Sequence, residues 1–294
     1  MPIPIYPEFK PLAIEHGQEI STALTRYPVS ISELTFTNLY AWRQAYQFSL
    51  SSLHEAIIIA AIVNGRRQFL CPFGSSDVKA VIVKIMTDSD GMFIRLPEEV
   101  KKMFEFDDRF AIAEDRNNAD YVYRTADLIA LSGSRFDGKR NLIKKFKSQH
   151  TYSYVNINAM NIERCFAFEQ EWCSVKDCDA VKSLSDERNA IREMVRHFSD
   201  FGLLGAAISI EDRICALALA EALNQETLVM HVLKADPSLA GLYQTMMQEF
   251  LAREASKFLY VNLEQDLGVE GLRKAKLSYH PLKLINKYTL RKVT

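Results

Sequence analysis

The sequence predicts a mixed α/β (α+β) protein built from two similar units, placed at residues 1–155 and 156–294. Three observations carry that reading. At roughly 150 residues per domain, 294 residues leave room for two. A composition of 48% hydrophobic and 25% charged residues is that of an ordinary globular protein, and it excludes disorder, collagen and coiled coil as the main architecture. Each half runs from β-rich segments to a helix and back to strands, the order of helices interspersed with a mostly antiparallel sheet. A chain of this size buries about three quarters of its extended surface on folding, so its core needs neither disulfides nor structural metal.

In the first half, residues 46–53, 55–63 and 66–72 are β-rich and separated by short breaks, which reads as an antiparallel meander. Residues 75–86 carry Val78, Val81, Ile82 and Ile85 at helical spacing. Short strands follow near 92–96, 109–113 and 121–123, with Pro97 starting a helix between the first two. A basic amphipathic helix runs over 138–149, with Leu142, Ile143 and Phe146 as its apolar stripe. In the second half, a strand at 152–158 precedes helices at 162–173 and 185–201. Strands return at 206–210, 214–223 and 227–234. Leu239, Leu242, Tyr243, Met246, Met247, Phe250 and Leu251 then fit one helical face. The last strands are expected at 258–262 and 284–290.

Charge is nearly balanced, 36 basic against 37 acidic residues, but unevenly spread. From Gly271 onward there are Arg273, Lys274, Lys276, Lys283, Lys287, Arg291 and Lys292 and no acid, so the first 270 residues carry −8 (29 basic, 37 acidic). That asymmetry suggests a local anionic partner. The five cysteines, Cys71, Cys165, Cys173, Cys178 and Cys215, form no C-x-x-C pair and read as reduced thiols of a cytoplasmic protein. The proline-rich start is not that of a signal peptide. The longest apolar run, residues 56–63, is far short of the roughly 18 needed to span a bilayer.

The sequence has no G-x-S-x-G, no G-K-[ST], no G-x-G and no H-E-x-x-H, so Rossmann hydride transfer, P-loop NTPase and zincin chemistry lack their signatures. Its six histidines show no metal-ligand spacing, and no metal or resident cofactor is expected.

Three segments carry possible chemistry. At 232–238 a strand ends, Asp236 is placed to cap a helix, Pro237 suits its first turn, and Gly241 would admit a ligand to the backbone near Lys234. Such a helix start can hold a phosphate, although an ordinary capped surface helix explains it equally well. Residues 260–279 pack Asn262, Glu264, Asp266, Gly268, Arg273, Lys274 and Lys276 into an expected loop after a strand, a place where binding groups concentrate. Residues 136–141, leading into Lys144, Lys145 and Lys147, present Arg140 and Asn141 on a basic helix that could grip phosphates or be merely solvated. His231, on its strand, reads as a satisfied core histidine. Cys173 and Cys178 read as inert thiols.

At these residues the chain resembles the family built around the C-terminal domain of bacterial phosphatidylglycerol lysyltransferases, in its stand-alone soluble form. The matching elements are Phe36-x-x-Leu39-Tyr40-x-Trp42-Arg43, Asp120-Tyr121-Val122-Tyr123 and Gly133-x-x-Phe136-x-x-Lys139-Arg140-Asn141. The most specific is Glu264-Gln265-Asp266-Leu267-Gly268-x-x-Gly271-Leu272-Arg273-Lys274-x-Lys276-x-Ser278-Tyr279-x-Pro281. The resemblance implies two GNAT-like acyltransferase folds in tandem, related to the Fem peptidyltransferases, and a donor that is aminoacyl-tRNA or acyl-CoA. Leu233 and Leu263 depart from it, since an acidic residue is expected before Lys234 and a basic one before Glu264. The lysyltransferases also carry a membrane flippase that this sequence does not contain, so a lipid acceptor does not follow.

The expected activity is transfer of an aminoacyl or acyl group to an amine or hydroxyl of a small-molecule or peptide acceptor. Glu264 and Asp266 would recognise a cationic amino group or act as base, and Tyr243 would protonate the leaving group. Arg273, Lys274 and Lys276 would contact donor phosphates or the oxyanion, supported by Arg140 and Asn141. Lys234, Gly241, Asn262 and Gly268 complete the expected substrate-binding set. Alanine at Arg273 or Lys276 should then leave stability nearly unchanged. The alternative is a non-catalytic binder of RNA or a nucleotide-bearing ligand on a degenerate GNAT fold.

Overall fold

A computed structural model describes residues 2–158, 161–176 and 182–293. In chain order its strands are β1 (Lys10–Pro11), β2 (Ser49–Leu53), β3 (Ala56–Val63), β4 (Arg66–Phe69), β5 (Met92–Pro97), β6 (Phe110–Glu114) and β7 (Asp120–Arg124). They continue as β8 (Ser153–Asn156), β9 (Leu204–Ile210), β10 (Arg213–Ala222), β11 (Thr227–Ala235), β12 (Tyr260–Asn262), β13 (Lys283–Ile285) and β14 (Lys287–Lys292). The helices are α1 (Gly17–Arg26), α2 (Phe36–Ala41), α3 (Val78–Asp88), α4 (Glu98–Met103) and α5 (Thr125–Ala130). They are followed by α6 (Asp137–Gln149), α7 (Ile162–Lys176), α8 (Lys182–Arg196), α9 (Leu242–Glu254) and α10 (Glu270–Leu277).

The strands form two seven-stranded sheets, β1-β2-β3-β4-β5-β14-β6 and β13-β7-β12-β11-β10-β9-β8. Two compact units follow them, neither continuous in sequence: Met1–Asp120 with Gln265–Arg273 and Leu284–Thr294, and Tyr121–Glu264 with Lys274–Lys283. The chain therefore divides elsewhere than at residue 155. A local run of strands and helices does not reveal that β14 returns to pair with β5 and β6, or that β7 pairs with β12. The single last strand expected at 284–290 is two strands, broken at Asn286, one in each sheet.

In the first unit the expected meander is β2-β3-β4, antiparallel throughout, followed by one parallel pair, β4 with β5. Residues 56–61 of β3 are buried without alternation, the mark of a strand covered on both faces. Helix α3 buries Val81, Ile82 and Ile85 of the stripe its spacing predicts, together with Met86, while Val78 at its start is half-buried; each buried side chain contributes about 1.5–3 kcal/mol. Thr35 caps α2 by accepting from the Asn38 amide at 3.1 Å.

The second unit is centred on β10, whose residues 216–220 are at most 1% exposed. Burial of successive residues requires cover on both faces, and α7 and α9 pack against this strand. Helix α9 starts at Leu242, three residues later than the periodicity suggests, and buries Met246, Met247, Phe250 and Leu251. Cys71, Cys165 and Cys215 are buried thiols in no disulfide. Burial raises the first two, Cys165 to about 11, which keeps them unreactive. Cys178 and the side chain of Cys173 lie outside the described residues. No helix among those described is long and apolar enough to cross a membrane.

Candidate functional site

In the second unit, β11 and β12 are the parallel pair of an otherwise antiparallel neighbourhood. Their ladder runs Thr227↔Tyr260, Leu228↔Val261 and Val229↔Asn262 and stops there, while β11 continues to Ala235. Beyond β12 the chain stays beside β7: Leu263 donates to the Tyr121 carbonyl at 2.9 Å, and Tyr121 donates to the Glu264 carbonyl at 3.2 Å. The two parallel strands thus part at their carboxyl ends, where open α/β sheets bind ligands.

Three side chains meet at this parting. His231 is the bulged residue of β11, because Leu219 opposes Val232 while Ala220 opposes Met230. A bulge re-aims a side chain out of the regular alternation. Its Nδ1 lies 2.8 Å from Glu264 Oε1 and its Nε2 2.7 Å from Glu221 Oε1. Two acceptors on one imidazole require both nitrogens to donate, which is the imidazolium form. Burial, at 1% side-chain exposure, works against that charge, but the hydrogen bonds and charges of Glu221 and Glu264 outweigh it and raise His231 to about 10. His231 is satisfied, as expected, yet it is a fixed cation between two carboxylates rather than a neutral core residue. Glu264 is aimed at it by a local turn. Asn262 Oδ1 accepts from the Glu264 amide at 2.8 Å, and Glu264 takes a left-handed φ of 57°. Its side chain stays 21% exposed.

A tyrosine cluster belongs to the same unit. Tyr121 and Tyr123 alternate on β7, Tyr243 stands in the first turn of α9, and Tyr279 follows α10. Tyr123 donates to the Lys276 carbonyl at 2.8 Å. The Lys276 ammonium donates to the Leu263 carbonyl and lies 5.8 Å from the centre of the Tyr121 ring. Burial raises Tyr123 and Tyr279 far above the ordinary phenol range and Tyr243 to about 12, although Tyr243 is 37% exposed. At neutral pH these phenols are hydrogen-bond donors, not bases.

Other expected residues serve the fold. Lys234 is buried against Glu187, Nζ to Oε2 2.9 Å, and burial lowers its pKa against the pull of that carboxylate. Asp236 does not cap α9; it accepts from the Ser238 amide and hydroxyl and from Arg213, six residues ahead of the helix. Gly241 is required by the protein itself, because its φ is +92° and a Cβ there would sit 2.2 Å from the Leu142 carbonyl of α6. The close approach anticipated for a ligand is taken by a helix. Arg140 donates to the Leu131 and Gly133 carbonyls and pairs with Asp137, closing the turn before α6. Asn141 and Lys274 are exposed.

The segment expected as one binding loop is divided. Glu264 belongs to the second unit, residues 265–273 to the first and 274–283 again to the second, and residues 270–277 are the helix α10. In the first unit Asp266 is fully buried. Its Oδ1 accepts from the Gly268 amide and Arg273 Nη2, both 2.8 Å, and its Oδ2 from Arg273 Nε at 2.8 Å and Arg116 Nη1 at 3.1 Å. Four bonds fill the carboxylate's lone-pair directions, so Asp266 is neither base nor amine receptor. Arg273 also reaches Asn117 Oδ1 at 2.8 Å, and a Cβ on Gly268 would press on Asn117 at 2.9 Å.

Buried charge recurs at Lys287, whose Nζ lies 2.6 Å from Asp120 Oδ1 and 2.5 Å from Glu33 Oε2. The C-terminal basic tract is therefore not one free surface, as Arg273 and Lys287 answer internal acids. Two surface grooves of about 930 and 540 Å³ in the first unit contain none of the expected site residues.

Glu221 is absent from the sequence reading, and Tyr123 and Tyr279 enter it only as motif positions without a role. The hairpin that puts Glu221 opposite the His231 region was visible in the 214–223 and 227–234 strands, but the bulge that joins them was not.

Solved structures place the chain. It is 31% identical to a conserved protein of unknown function from Bacteroides thetaiotaomicron, with a TM-score of 0.90 over 97% of this chain and 99% of that one. The fold is shared with L-PGS from Bacillus licheniformis at 14% identity, TM-score 0.66, over 99% of this chain and 94% of that one. FemX shares it at 6% identity, TM-score 0.60, over 97% of each. The expected mixed α/β class with two units is the one found. An uncharacterized protein of Mycoplasmoides gallisepticum is 24% identical over 179 residues, 60% of this chain, and the match spans only 56% of that relative's length. The model of the phosphatidylglycerol lysyltransferase C-terminal domain matches residues 24–291, and the chain belongs to that family.

Proposed function

We propose that the protein transfers an aminoacyl or acyl group from aminoacyl-tRNA or acyl-CoA to an amine or hydroxyl acceptor. The observation that carries this reading is the parting of β11 and β12 beside the Glu221–His231–Glu264 chain. In the reaction the acceptor's nitrogen or oxygen bonds to the donor's carbonyl carbon. The carbonyl's bond to the ester oxygen or thioester sulfur breaks, and the acceptor's proton ends on that leaving atom. Glu264, oriented by His231, is suited to hold the ammonium of an aminoacyl group or to take the acceptor's proton. Tyr243, kept protonated by burial, is suited to supply the leaving atom's proton. Family membership supports the reaction class; donor and acceptor belong to the proposal.

The reading of a non-catalytic RNA or nucleotide-ligand binder is favoured by one observation: Asp266 and Arg273, expected at the reaction centre, are used up on one another. Binding of charged tRNA and of acetyl-CoA at low and physiological salt, followed by single-turnover transfer to amine acceptors, separates the two. Transfer that Glu264→Gln lowers at least about tenfold supports the enzyme, on the scale of one general acid–base group. Salt-sensitive tRNA binding without turnover supports the binder.

A further inference from the structure

At the start of α6 the second unit holds a half-buried ammonium group with no counter-ion. Lys139 Nζ donates to Ser278 Oγ at 2.7 Å and stands 4.1 Å from the centre of the Tyr279 ring. Ser278 in turn donates to the Ala275 carbonyl, so its oxygen serves Lys139 purely as a neutral acceptor. Among the described residues no carboxylate pairs with Lys139, and burial lowers its pKa with no charge opposing the fall. One of its three N–H groups is used; a cation–π contact orients the remainder.

The ring beneath it carries a second anomaly. Tyr279 is 5% exposed, and its hydroxyl has no hydrogen-bond partner of ordinary geometry. The Gln244 side chain is near enough to lower its pKa through a hydrogen-bonding pull that falls outside that geometry, and Tyr123 and Tyr243 adjoin it in the cluster. A buried hydroxyl without a partner is uncommon in a native fold and marks a place where a water, ion or ligand belongs. Because Lys139 Nζ stands 4.1 Å from the centre of the Tyr279 ring, the ammonium and the hydroxyl at the ring's edge lie roughly 5 Å apart. One tetrahedral or planar anion can reach both.

We propose that Lys139 and Tyr279 form an oxyanion subsite that takes a phosphoryl or carboxylate group, with Lys139 Nζ and the Tyr279 hydroxyl as its donors. The inference deepens the transfer reading, and rests on it only in making the anion part of a substrate. Charge-assisted donation to an anionic oxygen is the strong form of hydrogen bond, and two such donors on a group of four or five atoms give a dissociation constant on the order of 1 mM.

Calorimetric titration of the full chain with inorganic phosphate and, separately, acetate tests it, using wild type, Lys139→Met and Tyr279→Phe. One of the two anions should bind, and which one does identifies the group. Lys139→Met should weaken that binding at least about tenfold and Tyr279→Phe about three- to tenfold. Without anion, Tyr279→Phe should melt no lower than wild type, because the hydroxyl it removes is unsatisfied. This second variant keeps the test sound even if Lys139→Met folds poorly. The subsite is overturned if neither anion binds wild type, if Lys139→Met binds as well, or if Tyr279→Phe lowers the melting midpoint, which would reveal an internal partner. Normal transfer by both variants would sink the subsite alone. Lys139-dependent anion binding by a protein that transfers nothing would sink the transferase alone.

Discussion

Lys287→Met removes a fully buried charge from β14 while keeping the aliphatic stem that fills its place. What the substitution leaves behind sets its magnitude. Asp120 would still accept from the Ser32 amide at 2.8 Å, the Ser32 hydroxyl at 2.9 Å and Gln265 Nε2 at 3.0 Å. Glu33 would keep Gln265 at 3.0 Å and Arg95 at 3.4 Å. Removing one partner of a buried pair costs about 3–5 kcal/mol. The surviving hydrogen bonds place this case in the lower half of that range, about 3–4 kcal/mol. At about 2–4 °C per kcal/mol for a protein of this class, the melting midpoint falls by roughly 10 °C. The penalty should also depend on pH. Burial raises the Glu33 carboxyl above its ordinary value, and Lys287 pulls it back. Without the lysine it rises further. A carboxyl raised in the folded state favours folding below its unfolded pKa, and that advantage is lost as pH climbs through the folded value. The gap between variant and wild type is therefore widest near pH 8 and narrows toward pH 5. Urea unfolding followed by circular dichroism at both pH values checks this. A penalty below about 1 kcal/mol at pH 8, or one equal at the two pH values, would refute the buried-pair account.

Arg273→Ala should cost about 2–3 kcal/mol, because Asp266 loses two of its four donors, with some discount for the one-third exposure of the arginine. Lys274→Ala, one residue on and exposed, should stay within about 0.5 kcal/mol, and equal unfolding midpoints for the two would remove the ion pair. His231 is raised from 6.5 to about 10, so the stability it contributes is whole below its unfolded pKa and is lost as pH rises through about 10. Wild type should lose thermal stability between pH 7 and 10 more steeply than His231→Asn does; parallel profiles would mean the imidazole is not a cation.

Where a signal is local, the sequence was readable. The meander β2-β3-β4, the α3 stripe and the α9 face follow from side-chain periodicity, because each buries its own apolar side within the same stretch of chain. Residues 270–277 read as a loop in the sequence because Gly271 and its charges mask a helix without a buried face. Asp236 and Gly241 carry the residue types of a capped, ligand-approached helix start. The sequence cannot show that Leu142 already occupies the space. Glu264 was identifiable as a candidate from its motif, whereas its link to His231 depends on a one-residue bulge in β11, a register detail with no signature in composition.

The charge asymmetry has a topological cause. Acids concentrated before Gly271 and cations after it resemble, along the sequence, a molecule offering a basic tail to an anionic partner. In the fold, β14 returns to the first sheet, and Lys287 meets Glu33 and Asp120, which lie 254 and 167 residues earlier. Arg273 likewise answers Asp266. Lys287 is distant from its acids only along the chain, and Arg273 finds its acid seven residues back. What remains exposed of the tract is Lys274, Lys283, Arg291 and Lys292. The cation best placed to meet a ligand is not among them. It is Lys139, at the start of the basic helix α6, half-buried and answered among the described residues by a hydroxyl and a ring. Net charge along a sequence reports ion pairing with the protein itself as readily as affinity for a partner. A lysine without an acid marks a site better than a run of lysines does.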